Sequence, residues 1–312
     1  MTTKKDLQEV AQRVQKYIHK TPILSSESIN EILGLHVYFK CENFQKMGAF
    51  KMRGATNAIL SLTNNERANG VVTHSSGNFA QAVALAAKKT NTKAIIVMPT
   101  SAPIIKKTAV LGYGATVIDC LPTQKDREKT AERIRLEQGS TFLHPSNQIE
   151  VIEGNATAGI ELIDQVDQLN AIFTPVGGGG LIAGTALAAH HFGDAIKVYG
   201  GEPSGADDAY RSLKAGYIIP VENPKTIADG LRTSLGDVNF PIILELVEEI
   251  FLVEEDEIIA AMRLVWERMK IIIEPSSAVP LAALIKNKDR FKNRHIGIIV
   301  SGGNVDLDNL PF

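Results

Sequence analysis

The sequence predicts an α/β protein with doubly wound layers and mainly parallel sheets, on three observations. From residue 36 onward short apolar runs alternate with longer helical patterns. The runs show little in/out alternation, as strands covered by helices on both faces do. Several of them pass straight into a small-polar or glycine-rich turn and then a helix, the place where such folds gather ligands.

Along the chain, Leu7, Val10, Ala11, Val14, Tyr17 and Ile18 recur at helical spacing and are followed by Thr21-Pro22, so the first element reads as an amphipathic helix stopped before proline. Strands are predicted at HVYFK from residue 36, GVVTH from 70, KAIIVM from 93, ATVID from 115, AIFTPV from 171, KVYGG from 197 and HIGIIV from 295. Between them NFAQAVALAAKK from 78, TQKDREKTAERIRLEQ from 123 and DEIIAAMRLVWERMK from 256 read as helices. No repeat, low-complexity segment or Pro/Gly-rich linker marks a domain boundary.

With 312 residues, 44% hydrophobic and 22% charged, the chain has material for a sizeable core. A formal charge of -2 with scattered Lys and Arg gives no footprint for nucleic acid or membrane, so small-molecule partners are expected. Cys41 and Cys120 lie far apart without metal-ligand spacing and fit a reducing compartment. The N-terminus lacks an apolar leader core, and no uncharged apolar stretch approaches the roughly 20 residues a bilayer span needs. A cytoplasmic location is predicted.

Three loops carry candidate chemistry. Lys51 sits in QKMGAFKMRGA among apolar neighbours before a helical pattern, a setting that favours the neutral amine needed to attack an aldehyde, although most lysines are solvated surface charges. Thr73-His74-Ser75-Ser76-Gly77-Asn78-Phe79 brings free N–H groups and hydroxyls to a helix start and would suit a carboxylate; a plain N-cap is the bland alternative. The third, Pro175-Val176-Gly177-Gly178-Gly179-Gly180-Leu181, offers unobstructed N–H groups to a phosphate. It also matches a dinucleotide fingerprint through Gly178, Gly180 and Ala183, with Glu202 about 20 residues on as a ribose-binding acid, and a merely structural glycine turn stands beside both readings.

In this order, and joined by Ser301-Gly302-Gly303-Asn304, the loops resemble the β-family (fold type II, tryptophan synthase β-like) of pyridoxal-phosphate (PLP) enzymes. Thr21-Pro22, Ile227–Leu231 and Glu274-Pro275-Ser276 extend the resemblance over nearly the whole chain, closest to serine/threonine dehydratases and serine racemases. The resemblance implies that Lys51 holds PLP as a Schiff base, Phe50 packs on the ring, Asn78 bonds the ring hydroxyl, Gly177, Gly178, Gly179, Gly180 and Leu181 cradle the phosphate, and Ser301 faces the pyridine nitrogen. It implies a large PLP-binding domain of residues 1–69 and 148–312 and a small mobile domain of 70–147, whose Ser75, Ser76, Gly77 and Asn78 grip the substrate carboxylate on closing. A homodimer is expected on the same ground.

Glu202, Asp208 and the backbone carbonyl of Ala206 could supply oxygen ligands to Mg2+ or Ca2+; the residues alone favour a solvated acidic turn, and the resemblance to the metal loop of the racemase group turns that reading toward a metal site. Some positions depart from the family: Phe79 stands where histidine is usual, Gly154-Asn155-Ala156-Thr157 replaces Gly-Gln-Gly-Thr, and Met47 replaces a small hydroxyl residue, all near the expected pocket. The activity implied is β-elimination of L-serine or L-threonine to ammonia and a 2-oxo acid, with Lys51 as the α-proton base. Serine racemisation, with Ser76 as proton carrier on the opposite face, and ammonia loss from threo-3-hydroxyaspartate, with Arg127 meeting its distal carboxylate, are alternatives on the same scaffold. A nicotinamide oxidoreductase and a PLP-carrying protein without turnover remain outside that chemistry. No regulatory domain is expected after Asp306-Leu307.

Overall fold

The computed structural model describes residues 2–312. Ten strands fall into two sheets. The first contains β1 (Ile23–Leu24), β2 (His36–Cys41), β7 (Ala171–Pro175), β8 (Lys197–Pro203), β9 (Glu249–Val253) and β10 (His295–Val300) in the order β1-β2-β10-β7-β8-β9. Only β1 runs antiparallel in it. The second contains β3 (Val71–His74), β4 (Ala94–Pro99), β5 (Thr116–Cys120) and β6 (Thr141–Phe142), all parallel in the order β5-β4-β3-β6.

All seven predicted strands form, and so do the three long helices, at Asn78–Lys89, Gln124–Gln138 and Glu255–Met269. Thr123 caps the second by accepting from Asp126 N, and Lys270 in the left-handed region ends the third. The first helix, Lys4–Val14, stops before Tyr17 and Ile18. There Tyr17 N turns back to Val14 O, and His19 is then held by Gln45, which accepts from its N–H and donates to its carbonyl, at 2.8 Å in all three bonds. Three strands were not expected: β1 and β6 have two residues each, and β9 lies in a stretch from 242 to 274 without glycine or proline to punctuate it.

β7 is buried along its whole length and β10 everywhere but at His295, which is why these strands lack alternation. Among the described residues no helix is long and apolar enough to cross a membrane.

Candidate active site

Because β2, β10 and β7 are parallel neighbours, the segments that leave their carboxyl ends emerge side by side. They are the Lys51 segment, Ser301 and the glycine loop. The first two are stitched together: Phe50 N donates to Ser301 O at 2.9 Å, Gly303 N to Gly48 O at 2.9 Å and Asn304 Nδ2 to Met47 O at 2.9 Å. Gly48 has φ of +76°, and a Cβ there would meet Asn304 Oδ1 at 2.7 Å, so this crossing needs glycine.

Lys51 is the first residue of helix Lys51–Leu60 rather than lying before it. Its Nζ donates to Pro145 O at 2.7 Å and lies 5.0 Å from the Phe50 ring centre and 5.6 Å from that of Phe79. Desolvation pushes the amine down to about 8, against the opposing charge of Glu274. The residue as a whole keeps partial exposure, while the amine itself is desolvated. Two residues on, Arg53 is fully buried between Glu42 and Glu161, bonding each carboxylate through two nitrogens at 2.7–2.8 Å. Lys40 joins Glu161 at 2.6 Å, so two cations face two anions beneath the helix that carries Lys51.

The glycine loop enters helix Gly180–Phe192 through Gly179, at φ of +80°. Ala183 N donates to Gly179 O at 3.0 Å, which leaves the N–H groups before it outside the helical ladder and aligned as an anion nest. Its walls are close. A Cβ at Gly178 would lie 2.5 Å from Ser146 Oγ, and one at Gly180 2.8 Å from Ser146 O. The donor nest and the depressed lysine fit PLP as a phosphate and an aldehyde on one ring. Glu202, the ribose acid of the dinucleotide reading, has both oxygens occupied by Ala209 N and Tyr210 N at 2.8 Å.

Ser301 is buried, its hydroxyl 2.9 Å from Ser277 Oγ. Ser277 donates to Gly302 O at 2.7 Å, which makes Ser301 the donor of the pair. Ser75, Ser76 and Gly77 form the turn between β3 and helix Asn78–Lys89, with Gly77 N donating to Ser75 Oγ at 3.3 Å. Asn78 has both ends of its amide engaged: Nδ2 donates to the two Glu274 oxygens at 3.1 Å, and Oδ1 accepts from Asn304 at 2.9 Å. Glu274 belongs to a segment that carries the resemblance, but motif reading gave it no role. Burial pushes its carboxyl up to about 7, with Asn78 opposing. Its one sequence signal is an acid immediately before Pro275 at a helix start.

Arg127 sits near the start of helix Gln124–Gln138, with Nε buried and unpartnered. It is close to His74, whose pKa is lowered by burial first and then, against Glu128, by the Arg127 charge. Glu202, Ala206 and Asp208 are gathered at the end of β8 and all are buried. Asp208 Oδ2 accepts from Leu235 N at 3.3 Å, while Oδ1 is buried without a partner. Burial raises both carboxyls, Asp208 to about 6, and Asp208 adds repulsion at Glu202. Among the described residues no group of three or more His, Cys, Asp or Glu is assembled to hold a metal.

A family model described as pyridoxal-phosphate dependent enzyme matches residues 14–302. The chain is 52% identical over 312 residues to serine racemase of Dictyostelium discoideum, covering 99% of this chain and 96% of that protein. It is 46% identical over 310 residues to beta-hydroxyaspartate dehydratase of Paracoccus denitrificans, covering 99% and 98%. The solved structure of the processed form of threonine deaminase isoform 2 from Solanum lycopersicum superposes with a TM-score of 0.92 at 34% identity, covering 98% of this chain and 92% of that one. With the buried amine, the glycine nest and a match over nearly its whole length, the chain belongs to the pyridoxal-phosphate dependent enzymes.

Proposed function

We propose that the protein removes ammonia from small L-hydroxy amino acids, L-serine, L-threonine or threo-3-hydroxyaspartate, to give the 2-oxo acid, with serine racemisation as a second outcome at the same site. The observation that carries this is a lysine amine pushed down to about 8 whose supporting turn also walls a phosphate nest. When bound, PLP supplies an aldehyde that captures an amine and a ring that draws electrons from the adjacent carbon.

Lys51 holds the cofactor and then, released as a neutral amine, takes the α-proton. Gly177–Gly180 and Leu181 hold the phosphate through N–H groups. Phe50 packs on the ring, and Ser301 turns its one hydroxyl hydrogen toward the ring nitrogen; a neutral serine there leaves the nitrogen unprotonated and moderates electron withdrawal. Asn78 exchanges a protein partner for the ring oxygen. Ser75, Ser76 and Gly77 bind the substrate carboxylate at the start of helix Asn78–Lys89, and Arg127 meets a distal carboxylate when the substrate has one.

The same reading assigns residues 70–147 to a small domain that closes on residues 1–69 and 148–312 and excludes water. Its support is the separate second sheet and the side-chain links from it to the rest: Asn78 to Glu274, and Lys106 to Asp229 at 2.9 Å. A divalent cation, Mg2+ or Ca2+, at Glu202, Ala206 and Asp208 is supported by the orphaned Asp208 Oδ1 and the raised carboxyls. A homodimer is supported by the exposed apolar residues Phe44 and Ile272, near each other through the Asn43–Ile272 hydrogen bond. The two free cysteines support a reducing, cytoplasmic location.

An absorption spectrum of the purified protein, followed by oxo-acid detection with each of the three substrates and chiral analysis of residual serine, tests the proposal. A visible band with oxo-acid release is expected. A band without turnover would leave a carrier protein, and the absence of a band in PLP-reconstituted protein would overturn the assignment.

A further inference from the structure

The turn at residues 144–148 touches both halves of the site, and one imidazole within it accepts two of its backbone N–H groups. His144 Nδ1 accepts from Asn147 N at 2.8 Å and from Ser146 N at 3.2 Å, while Gln148 Oε1 closes the turn by accepting from His144 N at 3.0 Å. The turn presents two groups. Pro145 O receives Lys51 Nζ at 2.7 Å. Ser146 packs against the nest: its Oγ is 2.5 Å from where a Gly178 Cβ would stand, and its carbonyl accepts from Asn239 Nδ2 at 3.2 Å, the same amide that donates to Gly178 O at 2.9 Å. Asn147 anchors the far side, accepting from Val238 N at 2.8 Å and donating to Asp237 at 2.8 Å.

A nitrogen that accepts from two N–H groups carries a lone pair, so the ring is neutral with any hydrogen on Nε2. Its surroundings agree. Burial first, then the charges of His74 and Lys51, push His144 down to about 4 against the pull of Glu128 and Asp237. Protonation would place a donor against two donors and open the turn.

We infer that His144 is a positioning residue whose Nδ1 lone pair fixes the 144–148 turn and thereby sets the spacing between the Lys51 amine and the glycine nest. This rests on the proposed roles of Lys51 and the nest and adds a part to them. A nest and an amine on different segments must match one rigid cofactor at both ends, and displacements well under the size of an atom cost rate. The turn contacts both directly, through Pro145 O at the amine and Ser146 at the nest.

The test compares His144→Phe, which keeps the ring and loses the acceptor, with His144→Asn, whose Oδ1 stands near the position of Nδ1. In the reconstituted enzyme we expect His144→Phe to weaken PLP retention and lower kcat, each by about tenfold or more, as loss of two backbone partners at a buried site does. KM should move less, and the visible band should shift or broaden. His144→Asn should recover most of each. Parent-like PLP affinity, spectrum and kcat in His144→Phe would overturn the inference. So would an Asn variant that falls as far as the Phe variant, in activity or in melting temperature, because the acceptor alone should suffice. Borohydride reduction of the parent followed by peptide mapping tests Lys51 separately. A label elsewhere ends the lysine assignment, whereas with the label on Lys51 the two variants judge His144 alone.

Discussion

In the proposed mechanism the amine that holds the cofactor and the base that takes the α-proton are one group, Lys51, so Lys51→Ala should abolish oxo-acid release while leaving the melting curve near that of the parent. Retained turnover would remove Lys51 from the mechanism. Ser76 divides the two outcomes differently. Elimination needs one proton carrier beside the substrate, whereas racemisation needs a second on the opposite face. Ser76→Ala should therefore abolish D-serine formation while preserving substantial pyruvate release; equal loss of both would point to damaged carboxylate binding, and persistent D-serine would take Ser76 out of proton transfer. Lysine and the glycines were legible because their chemistry demands a residue type at a place in the chain. The roles of Glu274 and His144 were not, because an acid or an imidazole has no pattern of its own and acquires its role from burial and from partners as distant as Asn78.

Elements decide whether those residues meet. Gly178 is closely walled by Ser146 and by Thr233, whose Oγ1 would be 3.0 Å from a Cβ, so Gly178→Asp should weaken PLP retention through both bulk and charge. Unchanged affinity for PLP would count against the nest as the phosphate site. Beneath the lysine helix, Arg53 is fully buried and bound to two carboxylates, so Arg53→Met should leave Glu42 without its cation and Glu161 with Lys40 alone, at a cost of about 3–5 kcal/mol in urea unfolding. A loss below about 1 kcal/mol, the range of exposed pairs, would show that the cluster is hydrated. The strands that present these loops were readable as buried apolar runs, and their neighbours in the sheet were not. Nothing in a single strand states that β10 inserts between β2 and β7, yet that insertion brings Ser301 to Phe50. Two-residue strands such as β1 and β6 are too short to show any period at all.

Across the whole molecule the lysine helix packs both against the second sheet's layer and against helix Ile149–Gln165. Met52, Ala55, Ala58 and Ile59 lie in the apolar cluster that includes Val71, Ile96 and Leu143 of the second sheet's layer, while Gly54 packs against Val151 and Asn155 of helix Ile149–Gln165 at under 3.0 Å from a built Cβ. A motion of the second sheet would therefore pivot against the element that carries the amine. The large sheet has its own strain at Glu202 and Asp208, and there pH and metal should act with opposite signs. In chelator, Asp208 is pushed from an ordinary 3.8 up to about 6, so the native state holds its proton more tightly than the unfolded chain. The stability contributed by that proton is complete below about 3.8 and is lost as pH rises through about 6. A divalent cation needs the carboxylates ionised, so its stabilisation grows over the same window, by mass action on the native state. Melting temperature should thus fall with pH in chelator and fall less, or rise, with saturating Mg2+ or Ca2+. Glu274, pushed up to about 7, also titrates there, so the share owed to the cluster is the part that disappears in Glu202→Ala/Asp208→Ala. Identical pH profiles with chelator and with either cation would mean that no divalent ion binds at this loop.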